Sequence, residues 1–234
     1  MRFTTRFTRD FVLQNLPDGC RRILEIGAGE GDLAAALAAG GFEVVALDDD
    51  PACVATARAN GVDARTARWP DFSGGRFDAV LFTRSLHHME DLAACVRAAA
   101  DSLQAGGRLL VEDFAREEAD AASVAWFADA LRRQDPTGAL AADEDLRVLL
   151  AAADPLEAWR AQHDHDLHCA AAQLAALGAV FATVAEAGCP YYFRYLARAG
   201  DETAVKALAH EEASAIAAGA IRPLGRRFVA GGRG

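Results

Sequence analysis

The feature that most constrains this chain is a short apolar run that ends in glycine and passes directly into a helix pattern. Arg22-Ile-Leu-Glu-Ile-Gly27 leads through Gly27-Ala-Gly-Glu-Gly31 into the Ala/Leu-rich stretch 32–39, which Gly40-Gly41 stops. Glu43-Val-Val-Ala-Leu-Asp48 is a second strand, ending in acid. Pro51 opens a helix over 51–59 that Asn60-Gly61 terminates. The alternation continues with a strand at 77–82, a helix at 92–103 and a strand at 107–112, with Gln104-Ala-Gly-Gly107 expected to reverse the chain. Repeated strand–helix units of this length imply a doubly wound, mainly parallel α/β sheet with helices on its faces.

Beyond residue 115 the pattern changes to Ala-rich, charge-speckled helices, broken at Asp135-Pro-Thr-Gly138 and Asp154-Pro155. Strand character returns at 180–185, helical sequence follows Pro190, and 224–230 reads as a last strand. Neither an internal repeat nor a long linker divides the chain, so we expect one domain over 1–234: a core at 1–115, a helical insertion at 116–179 and closing elements at 180–234. With 234 residues, 52% apolar and 25% charged, there is ample material for a core. No stretch reaches the roughly 18–20 apolar residues of a membrane helix, and two Arg and an Asp interrupt the opening MRFTTRFTRDF before any leader-like run. We therefore expect a cytoplasmic protein without membrane contact. The balance of 24 basic against 34 acidic residues, net −10, argues against nucleic acid, and Arg226-Arg227…Arg233 reads as a solvated tail. Cys20, Cys53, Cys95, Cys169 and Cys189 are dispersed and form no C-x-x-C pair, as expected of reduced thiols.

The glycine spacing discriminates between ligands. A dinucleotide loop requires G-x-G-x-x-G so that a pyrophosphate can sit on the helix N-terminus. Here the order is G-x-G-x-G, with Asp32 where the last glycine belongs. Glu25, Glu30 and Asp32 surround the loop with negative charge, which repels a pyrophosphate and suits a ligand carrying an ammonium and a sulfonium. The loop points away from NAD and toward S-adenosylmethionine.

ILEIGAGEGDLAAAL resembles the first motif of class I S-adenosylmethionine-dependent methyltransferases, and VVALDDDPACVATAR their second. FDAVLFTRSLHHMEDL and LQAGGRLLVEDF are similar to the fourth- and fifth-strand motifs, all in the family's order over roughly residues 20–115. The resemblance implies a Rossmann-like seven-stranded fold and S-adenosylmethionine as cofactor. It implies Asp48 as the acceptor for the ribose hydroxyls, with Glu25, Gly27, Ala28, Gly29, Gly31, Asp49, Thr83 and Ser85 completing the cofactor site. The family's adenine-binding acid before the fourth strand has no counterpart at its usual place, so backbone around Ala67 and Arg68 is expected to hold the adenine, with Trp69 either nearby or in the core. Relatives build a substrate lid from the insertion, and an N-terminal arm (Phe3, Arg6, Phe7) over the cofactor. HDHDLHCAAAQL, CPYYFRYLA and IRPLGRRFV resemble stretches of bacterial methyltransferases of unassigned substrate.

Methyl transfer from a sulfonium demands positioning and exclusion of water, and a base only where the nucleophile arrives protonated. His87 and His88, directly after the fourth strand, are the candidate bases; the alternative is a turn that merely orders the loop. Arg84 either orients an anionic acceptor or pairs with Glu112 or Asp113. His163, His165 and His168 fall in one short run whose spacing matches no zinc pattern, so no metal is expected. They line the acceptor pocket or belong to a solvated segment. Tyr191, Tyr192 and Tyr195 cluster beside Phe193 and Arg194, as packing or as acceptor contacts. The reading that follows is methyl transfer to an O, N or C nucleophile of a small molecule. An RNA or protein methyltransferase, or a non-catalytic binder of S-adenosylmethionine, is the alternative.

Overall fold

The computed structural model describes residues 1–134, 143–162, 167–197 and 201–233. The elements run α1 (Phe3–Asn15), β1 (Arg22–Ile26), α2 (Asp32–Ala38), β2 (Glu43–Asp48), α3 (Pro51–Ala59), β3 (Asp63–Thr66), β4 (Phe77–Thr83), α4 (Leu92–Asp101) and β5 (Leu103–Phe114). There follow α5 (Ala121–Gln134), α6 (Glu144–Ala151), α7 (Pro155–Gln162), α8 (Ala170–Gly178), β6 (Phe181–Cys189), α9 (Phe193–Leu196), α10 (Glu202–Ala217) and β7 (Gly225–Arg233). Among the described residues the seven strands form one sheet, ordered β3-β2-β1-β4-β5-β7-β6. β1 pairs in parallel with β2 and β4, β2 with β3, and β4 with β5. The order reverses between β1 and β4, the switch point beyond whose carboxyl ends open α/β sheets bind ligands. This is the Rossmann-like architecture expected from the alternation.

Two compact units are distinguished: Met1–Asp113 with Leu167–Ala187 and Arg226–Gly234, and Phe114–Asp166 with Gly188–Gly225. The first holds most of the sheet. The expected 116–179 insertion is thus divided, its last part, from Leu167 onward, belonging to the sheet unit. Ile23 pairs with both Val44 and Ala79, and Ile23, Leu24, Phe77 and residues 79–82 are fully buried, which is why β1 and β4 read as unbroken apolar runs. Phe11 and Val12 of α1, Leu33 and Leu37 of α2, and Val54 and Ala57 of α3 share one core with Leu81 and Leu110. The Asp78 carboxylate accepts the backbone N–H groups of Arg21 and Arg22 and fixes the start of β1. Asp50 and Asp91 cap α3 and α4, accepting from Ala52 and Ala94.

Three elements differ from expectation. From the sequence a helix-like segment is expected over about Asp10 to Leu16, but α1 starts at Phe3, because Phe3, Phe7 and Phe11 recur at helical spacing and Phe11 is buried in the core. β3 was not legible: Asp-Ala-Arg-Thr is short and polar, and it lies at the sheet's end. Gln104–Gly107 does not separate helix from strand but interrupts β5, since Phe77 pairs with Leu103 and Ala79 with Arg108.

In the second unit α5, α6 and α7 pack together and α10 packs on α5 and α9. Phe127, Leu131, Leu149, Trp159, Tyr192, Phe193 and Leu208 are buried there.

Candidate active site

The loop after β1 is held by the strand beside it. Leu47 carbonyl accepts the N–H groups of Gly27 and Ala28 at 2.8 and 2.9 Å, which draws the loop across the end of β2. Gly27 (φ 70°) and Gly31 (φ 79°) stand in the left-handed region. A Cβ at Gly27 would overlap Ser85, and one at Gly31 would lie 2.8 Å from Ala57 Cβ, so glycine is required for space as well as for φ. Asp48 faces this loop: Oδ2 accepts Gly29 N–H at 2.7 Å and Oδ1 accepts Asp50 N–H at 3.0 Å. Asp49 beside it is exposed.

Glu25 lies beneath the loop and is only 1% exposed. Its Oε1 accepts the Thr83 hydroxyl at 3.1 Å, while Oε2 has no hydrogen-bond partner among the described residues. Burial pushes the carboxyl up to about 7, against the opposing influence of the Thr83 hydroxyl, Arg84 and the backbone N–H of Ala34. A buried acid with one unsatisfied oxygen fits a cationic group arriving from outside the chain. Ser85 donates to Ile26 carbonyl at 2.6 Å and packs on Gly27.

Of the residues expected around an adenine, Ala67 gives its N–H to Asp48 carbonyl at 3.0 Å, and Arg68 forms an exposed ion pair with Glu90. Trp69 belongs to the core. It is buried, donates Nε1–H to Cys95 carbonyl at 3.1 Å and meets Phe82 edge-on.

His87 and His88 occupy a single 3-10 turn, Leu86–His88, after β4. The structure separates them. His88 is exposed; His87 is 5% exposed, its ring centroid 4.0 Å from that of His88. Asp113, fully buried near the end of β5, places Oδ1 2.6 Å from His87 Nδ1, and its Oδ2 accepts His87 backbone N–H at 3.2 Å. His168 gives its N–H to His87 carbonyl at 3.0 Å, and its Nε2 lies 2.7 Å from Met89 carbonyl. His168 is thereby brought to the His87 turn, whereas His163 and His165 lie outside the described residues.

Tyr191 and Tyr192 sit in the second unit among rings. Tyr191 stacks on Phe114 at 4.7 Å and Tyr192 on Phe127 at 4.8 Å, with Trp159 edge-on to Tyr192 at 5.5 Å. Glu212 of α10, also fully buried, accepts the N–H groups of Tyr191, Tyr192 and Phe193 at 2.6, 3.0 and 3.1 Å.

From sequence, Glu112 and Asp113 were named only as partners for Arg84; what was missed is the Asp113 contact with His87 and the buried ion cluster that Arg227 and Thr8 complete on Glu112. Arg226 and Arg227, expected as solvated tail, are instead 8% exposed and ion-paired respectively: Arg226 lies 3.4 Å from Glu186, and Arg227 binds Glu112. Their alternation along β7 turns both side chains into structure, which a charge run alone did not reveal. Arg84, the one described non-glycine residue at positive φ (63°), pairs with Glu112 at 3.5 Å, which realises the ion-pair alternative for that residue.

A methyltransferase-domain family model matches residues 2–184, and the chain belongs to that family. The ubiquinone biosynthesis O-methyltransferase of Xanthomonas oryzae pv. oryzae is 33% identical over 138 residues, 55% of this chain and 58% of that protein. Its counterpart in Xylella fastidiosa is 35% identical over 116 residues, 46% of this chain and 47% of that protein. The chain thus spans about half the length of these curated relatives. The structure of the plantazolicin methyltransferase BpumL in complex with SAH aligns over 98% of this chain and 82% of that one, with a TM-score of 0.55 at 12% identity, a likeness of fold. Among the described residues no helix is long and apolar enough to cross a membrane, and no three His, Cys, Asp or Glu side chains gather as metal ligands.

Proposed function

We propose that the chain binds S-adenosylmethionine and transfers its methyl group to a small-molecule nucleophile in the cytoplasm. The observation that carries this reading is the pair of acids on the glycine loop. Glu25 offers a buried, unsatisfied Oε2 suited to the methionyl ammonium, and Asp48, held against Gly29, has lone pairs left for the two ribose hydroxyls. Gly27 and Gly31 leave the space that a Cβ would fill. Backbone near Ala67 and Arg68 is left to contact the adenine. When bound, the cofactor supplies an electrophilic methyl group on sulfur. The chain's own part is to hold the acceptor in line and to keep water out.

Of the two histidines, His87 is assigned the chemical role, because it is buried and paired with a carboxylate while His88 is exposed. The two named relatives are O-methyltransferases of ubiquinone biosynthesis, which favours a small acceptor over RNA or protein, and the net charge of −10 points the same way.

Thermal unfolding with S-adenosylmethionine, S-adenosylhomocysteine or NAD tests the reading. At ligand about 100-fold over Kd, binding adds roughly 2.7 kcal/mol, a rise on the order of 5–10 °C for a chain of this size. Both sulfur ligands are expected to give that rise, and Asp48→Ala to abolish it. A rise with NAD alone would overturn the assignment.

A further inference from the structure

We propose that Arg84 is an anion-binding residue of the methyl-transfer site, and that the acceptor it selects carries a carboxylate beside its nucleophile. This rests on the methyl-transfer reading above and adds the substrate class to it.

Arg84 is the first residue beyond β4, and its backbone N–H donates to Glu112 carbonyl on β5 at 2.7 Å. It stands at φ 63°, a conformation that glycine adopts freely and a residue with a side chain adopts under strain. The turn itself needs no arginine. The bond to Glu112 uses backbone alone, and the Ser85 hydroxyl on Ile26 carbonyl fixes the residue that follows. Glycine would meet both demands with less strain. Non-glycine residues held in this way cluster at active sites and ligand clamps.

The side chain is loosely held. Its Nη1 lies 3.3 Å from Thr8 Oγ and 3.5 Å from Glu112 Oε1, at the outer limit of a hydrogen bond. The buried Glu112 carboxylate has closer partners: the Thr8 hydroxyl at 2.6 Å on Oε1, and Arg227 at 2.8 and 2.6 Å on Oε2. One carboxylate thus faces two guanidinium groups, and Arg84 is the more distant of them. Its Nε and Nη2 meet no acceptor among the described residues, and the side chain is 36% exposed. The Nε and Nη2 edge of a guanidinium is a planar fork that matches a carboxylate in a bidentate pair.

The order of the strands places Arg84 on the acceptor's side. Asp48 ends β2 and Glu25 lies on β1, so a cofactor held by this pair occupies the β2–β1 half of the switch point. The ends of β4 and β5, next in the sheet, are left for the acceptor. Arg84 is still close enough to Glu25 for its charge to oppose the upward shift of that carboxyl. An acceptor anchored there by its carboxylate has the orientation of its nucleophile toward the methyl carbon fixed by a second point of contact. A cationic acceptor would be repelled.

Calorimetry on protein saturated with S-adenosylhomocysteine, near pH 8, tests this with salicylate, anthranilate and lactate, each compared with its neutral amide. For at least one pair we expect the acid to bind about tenfold tighter or more. Arg84→Gln should abolish that preference and Arg84→Lys keep part of it. Should the glutamine variant fail to fold, Arg84→Gly removes the same guanidinium and suits the left-handed backbone, and the wild-type comparison needs no variant. A wild type that prefers no acid, or a preference unchanged in Arg84→Gln or Arg84→Gly, overturns the proposal. The cofactor's own carboxylate is the other source of the same chemistry. We expect Arg84→Gln to affect S-adenosylhomocysteine and its decarboxylated analogue alike. A loss confined to S-adenosylhomocysteine gives Arg84 to the cofactor and overturns the acceptor class. If S-adenosylhomocysteine does not bind the wild type, the underlying methyl-transfer reading fails instead.

Discussion

Glu112 Oε2 receives both Nε and Nη2 of Arg227, at 2.8 and 2.6 Å, with the carboxylate buried at the core of the sheet unit. The same carboxylate accepts the Thr8 hydroxyl at 2.6 Å through Oε1, and the Arg227 guanidinium lies 4.4 and 4.5 Å from the ring centroids of Phe7 and Phe11. One ion pair therefore ties β5 and β7 to α1. Removing one partner of a buried pair leaves the other charge uncompensated, at a cost of about 3–5 kcal/mol. Arg227→Met is expected to fall near the lower figure, because its hydrocarbon stem still packs on the phenylalanines. Urea unfolding measures the loss. The double variant with Glu112→Gln should lose less than the two single losses combined. Simple additivity would mean that the pair contributes nothing of its own.

Glu25 links cofactor binding to protons. With its carboxyl at about 7, it is mostly protonated near pH 6 in the ligand-free chain. An ammonium seated at Oε2 favours the carboxylate, so the proton must leave as the ligand arrives. Calorimetry of S-adenosylhomocysteine binding in buffers of different ionisation enthalpy should find release approaching about one proton near pH 6 and almost none near pH 8.5. Glu25→Gln should abolish the release. Equal release in wild type and variant would place the proton elsewhere.

Two buried acids also predict how stability depends on pH. Glu25 and Glu212 both stand at about 7 in the folded chain, raised from 4.5 chiefly by burial, although three backbone N–H groups oppose the shift at Glu212. As pH rises from about 4.5, the unfolded chain gives up these protons first. The contribution of each acid is therefore fully present below about 4.5 and is lost as pH rises through about 7. The loss is on the order of 2–3 kcal/mol per group. Urea midpoints at pH 5 and pH 8 should show it, and Glu212→Gln should remove roughly half of the slope. A midpoint that rises with pH over this window would contradict the assignment of both groups.

How far the sequence reached depended on whether a residue's role was local. β1, the glycine loop, β2 and α3 were legible because strand period, Gly spacing and Pro51 at a helix start each act within a few residues. Asp48 and Glu25 were legible for the same reason, flanking one loop. Asp113 and Glu112 were legible only as possible partners of Arg84, and their more distant contacts were not. Their partners, His87, Arg227 and Thr8, lie 26, 115 and 104 positions away, and only the sheet order brings them together. The Arg226-Arg227 run misled because charge in sequence does not tell whether a carboxylate waits across the sheet. Trp69 stayed ambiguous until its indole N–H was found on Cys95 carbonyl. The tyrosine cluster proved to be tightly packed, a property that helical spacing alone leaves open.

Tyr192 offers the sharpest separation of packing from ligand contact. Its ring stacks on Phe127 and meets Trp159, and its hydroxyl is buried with no hydrogen-bond partner among the described residues. Burial, with Glu212 nearby, pushes the phenol above its ordinary range, so it stays neutral. A buried hydroxyl without a partner costs about 1–3 kcal/mol of desolvation. Removing it while keeping the ring should recover part of that cost. Tyr192→Phe is accordingly expected to raise the unfolding free energy by about 1 kcal/mol in the ligand-free chain, measured by urea unfolding at constant pH. A loss of similar size would show that the hydroxyl holds a bond in solution. The expected gain would show that the hydroxyl is unsatisfied in solution as well, and that the ring's packing on Phe127 and Trp159 holds Tyr192 in place without it.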